Sequence, residues 1–99
     1  MSAEQVKSVD SFYASGTSLQ GYVNTTYANL VALFGEGEGG SDKTTAEWVL
    51  KFDDGTIATI YDWKESSTPM GSYDWHVGGA NRKVVAMVQD ALEGIIEVV

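Results

Sequence analysis

The chain has a single histidine, His76, in the run Tyr73-Asp74-Trp75-His76-Val77. An imidazole changes charge near neutral pH, so this is the side chain best suited to general acid–base work. Such work needs a carboxylate to orient the ring. Asp74 lies two positions away and shares the His76 face in an extended segment, and Asp62 is the other candidate. The same residues also describe a hydrogen-bonded strand histidine, because perturbed ionisable groups are often structural. No serine or threonine stands in a nucleophile-elbow pattern. No catalytic residue is assigned, and the chain is not expected to be an enzyme.

The absence of cysteine excludes disulfides and thiolate metal sites, and one histidine is too few for an ordinary zinc site. Glu36, Glu38 and Asp42 stand in a glycine-rich stretch but miss the EF-hand spacing. Neither a metal nor a cofactor is expected.

Two further groups of residues suggest binding. Val77-Gly78-Gly79-Ala80-Asn81-Arg82-Lys83 passes from a strand end through two glycines to a helix start with two cations. Free N–H groups and the helix dipole at such a place hold anions, including phosphate. The alternative is a tight turn with two basic side chains in solvent, since no Walker or dinucleotide pattern surrounds the glycines. The second group is aromatic. Trp63 ends one expected strand and Trp75 sits on the next, so pairing of those strands could bring the two indoles together. Tryptophans recur at binding hot spots and equally in small cores. The candidate binding residues are therefore Trp63, Trp75, His76, Gly78, Gly79, Arg82 and Lys83.

These residues depend on elements that the hydrophobic period exposes. Residues 2–16 are ambiguous: Ser2 with Gln5 fits a capping box, yet the segment also fits an extended run ending at Gly16. Leu19, Gly21 and Val23 alternate with Gln20, Tyr22 and Asn24, which predicts a strand at 18–24. Thr25 or Thr26 then caps a helix carrying Tyr27, Leu30, Val31, Leu33 and Phe34, closed by Gly35. Residues 36–42 read as an exposed loop. Residues 44–52 predict a strand with Ala46, Trp48, Leu50 and Phe52 on one face. Asp53-Asp54-Gly55 is a hairpin turn, and 56–63 return. On that strand Ile57, Thr59, Tyr61 and Trp63 share one face, and Ala58, Ile60 and Asp62 the other. A third strand spans 73–77 and stops at Gly78-Gly79. From Ala80 the period becomes helical, with Val84, Val85, Val88, Ala91, Leu92, Ile95, Ile96 and Val99 in one stripe, so the helix is expected to run nearly to the C-terminus. The fold class expected is α+β, in one domain over 1–99: two layers, an antiparallel sheet of three to four strands packed against two amphipathic helices.

Composition narrows the partners. Fourteen acids face six bases, a net charge of −8. Nucleic acid has the same sign and is not an expected partner. No stretch approaches the ~18 apolar residues of a membrane span, and the N-terminus lacks the apolar core of a secretion signal. A cytoplasmic location and no membrane partner are expected. The acidity serves solubility, or presents a negative surface to a basic partner. The apolar end Ile95-Ile96-Glu97-Val98-Val99 could pair with a second copy in a homodimer, or pack on the chain's own sheet.

Lys43-Thr44-Thr45-Ala46-Glu47-Trp48, Asp54-Gly55-Thr56-Ile57-Ala58-Thr59-Ile60-Tyr61-Asp62-Trp63-Lys64 and Trp75-His76-Val77-Gly78-Gly79 together resemble small proteins encoded by tailed bacteriophages, over roughly residues 12–92. The resemblance carries no activity and no functional residues. It implies a viral protein made in the bacterial cytoplasm. The expectation that follows is a non-enzymatic accessory protein that binds and modulates or inhibits a host protein. The alternative is a module binding a small anionic ligand such as a nucleotide.

Overall fold

Thr26 opens the first helix by accepting a hydrogen bond from the Asn29 N–H at 3.2 Å on its side-chain oxygen, and the Gly35 N–H closes it on the Val31 carbonyl at 2.8 Å. These are the cap residues that the sequence supplies. The computed structural model describes residues 5–9, 17–37, 43–94 and 97–98. Within them the order is β1 (Gln5–Val9), β2 (Ser18–Thr25), α1 (Tyr27–Phe34), β3 (Glu47–Phe52), β4 (Ile57–Tyr61), β5 (Tyr73–Gly79), α2 (Lys83–Leu92) and β6 (Glu97–Val98).

The strands form one sheet in the order β2-β5-β4-β3-β1-β6. The block β2-β5-β4-β3 is antiparallel throughout. It is the expected α+β arrangement, an antiparallel sheet with two helices. Two strands extend it: β1 joins β3 antiparallel, and β6 joins β1 in parallel. The ambiguity over residues 2–16 thus resolves to a strand at 5–9, and the rest of that segment lies outside the described residues.

Both helices cover the same sheet face. Leu30 and Phe34 of α1 and Val84, Val88 and Ala91 of α2 pack with Val23, Trp48, Leu50, Phe52, Ala58, Ile60, Trp75 and Val77. Each fully buried Leu or Ile here contributes about 1.5–3 kcal/mol relative to exposure. Of the two β4 faces read from the sequence, Ala58, Ile60 and Asp62 are buried on or beside the helix side; on the other, Tyr61 is half-buried and Trp63 exposed, while Thr59 is also buried. Trp48 and Trp75 meet edge to face at 5.5 Å. Their indole N–H groups donate to the carbonyls of Gly35 at 2.8 Å and Thr25 at 3.2 Å, which ties both ends of α1 to the sheet.

Two expectations need correction. The third strand does not stop before Gly78-Gly79 but continues through them, with Gly78 opposite Thr59 and Gly79 opposite Ala58. The glycines are there for closeness. A Cβ at Gly79 would lie 2.5 Å from Val84 Cγ2, and one at Gly78 would collide with Thr59 Oγ1. The final helix also ends early, at Leu92, because Gly94 takes φ 79° and the chain turns. Glu97 and Val98 then lie beside Gln5 and Val6, so the backbone of this part of the apolar end joins the chain's own sheet. Ile95, Ile96 and Val99 lie outside the described residues.

Candidate functional site

On the sheet face opposite the two described helices, the register lines up a row of rings. Tyr22 of β2 stands opposite His76 of β5, which stands opposite Tyr61 of β4. Residues directly opposite across antiparallel strands share a face, so the three side chains project together. Trp63, two residues beyond Tyr61, continues the row. Leu19 joins it at the start of β2 because the register shifts between Leu19 and Gly21. Simple alternation would have placed Leu19 with Val23 in the core. A bulge of this kind re-aims a side chain, and Leu19 is instead 47% exposed.

Leu19, Tyr22, Tyr61, Trp63 and His76 line an open groove of about 450 Å³. His76 lies at its centre, with ring centroids 4.9 Å from Tyr22, 5.3 Å from Tyr61 and 6.5 Å from Trp63. The Tyr61 and Trp63 rings are 6.2 Å apart at 73°. Tyr22 and Trp63 remain 53% and 41% exposed, so large apolar surface stays in water. Hydrogen bonds brace the loop that carries Trp63: its N–H donates to the Tyr73 hydroxyl at 3.3 Å, and that hydroxyl donates to Glu65 at 3.4 Å.

The electrostatics suit a neutral imidazole. Burial pushes the His76 pKa below its ordinary 6.5, against the opposing pull of Asp62 and Glu65. Its Nδ1 is buried with no hydrogen-bond partner. The Tyr61 phenol is pushed up by burial, then by Glu47 and Tyr22. Burial likewise raises the Tyr73 phenol.

The carboxylates proposed to orient His76 are engaged elsewhere. Asp74 accepts a hydrogen bond from the Asn24 side chain at 2.9 Å. Asp62 is fully buried and accepts from the Thr45 N–H at 2.7 Å, the Ala46 N–H at 3.2 Å and the Thr45 hydroxyl. An acid–base pair on His76 is therefore not assembled. Among the described residues no group of three His, Cys, Asp or Glu side chains could hold a metal ion.

The seven candidate binding residues fall into separate places. Trp63 and His76 meet in the groove. Trp75 does not: it is fully buried on the helix side, so β4–β5 pairing leaves Trp63 and Trp75 on opposite faces. Gly78 and Gly79 are buried strand residues under Thr59 and Val84, not a phosphate cradle. Arg82 and Lys83 are exposed at the start of α2, where the Lys83 ammonium is 3.9 Å from Asp54 in the β3–β4 turn. That turn is at the opposite end of β4 from Trp63. The first N–H groups of α2 are also occupied: Lys83 N–H donates to Asn81 Oδ1, Val84 N–H to the Asn81 carbonyl and Val85 N–H to the Arg82 carbonyl. The anion site read from this stretch is not brought together with the aromatic residues.

Sequence reasoning missed Leu19, Tyr22 and Tyr61. Tyr61 was legible as a face-mate of Trp63, but Tyr22 enters only through the β2–β5 register. No family model matches the chain, and neither a curated protein nor a solved structure gives a significant match.

Proposed function

We propose that this chain is a non-enzymatic binding protein that engages a partner protein through the aromatic groove on the sheet face opposite its two helices. One observation carries the reading: Leu19, Tyr22 and Trp63, large and about half exposed, converge on one groove instead of scattering over the surface. Clustered exposed aromatic side chains mark interaction sites, whereas single exposed ones need no explanation. Asp62 and Asp74 are held by other partners and do not orient His76, which favours binding over acid–base chemistry. The net charge of −8 favours a partner with a basic surface. The resemblance to tailed-phage proteins makes a bacterial host protein the first partner to seek.

The test is capture from bacterial lysate by the wild-type chain and by Tyr22→Ala and Trp63→Ala, at low and high salt. A host protein held by wild type should be lost from both variants, and weakened by salt. Equal capture by wild type and by folded variants would remove the groove from the proposal.

A further inference from the structure

We propose that the groove receives a guanidinium group, presented by an arginine side chain of the partner; this rests on the reading above that a protein docks there. The groove combines aromatic walls with a negative surround. Tyr22, Tyr61 and Trp63 surround His76 within 6.5 Å, with interplanar angles between 30° and 73°, so the rings pack at angles to one another and do not stack flat. A cation within about 6 Å of such centroids is attracted by the ring quadrupoles, the more so when water is excluded. The carboxylates near the groove have the matching sign. Glu65 is held by the Tyr73 hydroxyl just beyond Trp63. Asp74 shares the His76 face, and Glu47 lies opposite Tyr61. No lysine or arginine is among the five lining residues.

The chemistry of His76 sharpens the class of ligand. Its Nδ1 is buried and lacks a hydrogen-bond partner. A neutral ring carries no charge that would repel a cation in the groove. An anion would find donors in the tyrosine hydroxyls and the Trp63 indole N–H, but it would face the surrounding carboxylates, which have its own sign. A purely aliphatic anchor would leave the surrounding carboxylates without a counter-charge. Guanidinium fits better than ammonium because it is planar, stacks on rings and loses its hydration more readily. The cavity of about 450 Å³ has room for such a side chain with its apolar stem.

The test uses two capped tripeptides on the full chain, Gly-Arg-Gly and its neutral isostere Gly-citrulline-Gly, with adenosine monophosphate as the anionic control. The readout is the indole N–H signal of Trp63, with those of buried Trp48 and Trp75 as controls for the fold. The arginine peptide should shift Trp63 alone and bind at least about tenfold tighter than the citrulline peptide, the factor that ~1.4 kcal/mol represents. Trp63→Ala, followed through the His76 ring signals, and Tyr22→Ala, followed through Trp63, should each weaken it several-fold with the Trp48 and Trp75 signals unchanged. Equal affinity for citrulline, preference for the nucleotide, or no response up to roughly 10 mM peptide would overturn the assignment; that ceiling lies above the ~1 mM Kd of a weak single-site contact. The two readings can fail separately. A partner lost from groove variants, with no preference for arginine over citrulline, refutes only the guanidinium. Arginine preference with partner capture intact in those variants refutes only the docking of that protein.

Discussion

His76 is a histidine whose ring stays neutral because burial lowers its pKa below 6.5, even with Asp62 and Glu65 pulling the other way. The linkage follows from the sign. Below 6.5 the unfolded chain binds the proton more readily than the folded one, so stability from this group is full above that pH. It declines as the pH falls toward the folded-state midpoint. An NMR titration of the ring should give a midpoint under 6.5, and the acid-side loss of thermal stability should be shallower in His76→Gln. A midpoint at or above 6.5 would contradict the buried placement. Gly78 poses a different question at the same scale. Thr59 is 2% exposed, and its Oγ1 occupies the space a Gly78 Cβ would need, with the Ser18 carbonyl oxygen at 3.3 Å from the same point. Gly78→Ala should cost about 1–3 kcal/mol through overpacking. Thr59→Ala removes the offending oxygen, so the double variant should recover part of that loss, a coupling of roughly 0.5–3 kcal/mol in urea unfolding. Strict additivity of the two losses would mean that the glycine is there for another reason.

Asp62 acts on a whole element. It lies just after β4, and its buried carboxylate receives both the Thr45 and Ala46 N–H groups, fixing the backbone that leads into β3. The Thr45 hydroxyl, itself 2.8 Å from that of Thr68, brings the loop after β4 into the same network. Asp62→Ala leaves one buried and one part-buried donor without an acceptor and should cost about 2–5 kcal/mol, since each orphaned buried group costs roughly 1–3 kcal/mol. Asp62→Asn keeps one acceptor oxygen and should lose clearly less. Chemical denaturation of both variants checks the order, and equal losses would show that the backbone bonds are not what matters. The sequence suggested Asp62 for chemistry because a carboxylate near a histidine is all that one dimension shows. Its place on the Ala58/Ile60 face was legible from alternation, and that face points away from His76. Turns and caps were legible for the same local reason: Thr26, Gly35 and Asp54-Gly55 act through their immediate neighbours. The end of α2 was not. The apolar stripe continues past Gly94, and glycine in a helix costs only about 1 kcal/mol, so the local signal favoured a longer helix. A pairing between residues about ninety apart in sequence, Val6 with Val98, won instead. The groove was half legible for that reason too, since Trp63 and Tyr61 share a strand face but Tyr22 reaches them only across three strands.

At the scale of the molecule, the sheet divides the work. The helix-covered side holds Trp48, Trp75 and the aliphatic core, and the opposite side holds the groove. Charge acts on stability and on binding with opposite consequences. Eight uncompensated negative charges on 99 residues repel one another more in the folded chain than in the expanded one. The ion pair between Lys83 and Asp54 is long, at 3.9 Å, and exposed, so screening it removes little stability. Added sodium chloride shortens the screening length from about 30 Å at 0.01 M to about 10 Å at 0.1 M, which relieves the repulsion. The melting temperature should therefore rise with sodium chloride, by several degrees if the relief is about 1 kcal/mol in a domain of this size. Binding to a basic partner should respond the other way, because the same screening removes the attraction that brings the surfaces together. Thermal melts and capture experiments run across one salt series test the two signs together. A melting temperature that falls with salt would mean that attractive pairs outweigh the net charge. Capture that is indifferent to salt would mean that the acidic surface takes no part in docking, leaving the rings of the groove to provide the attachment.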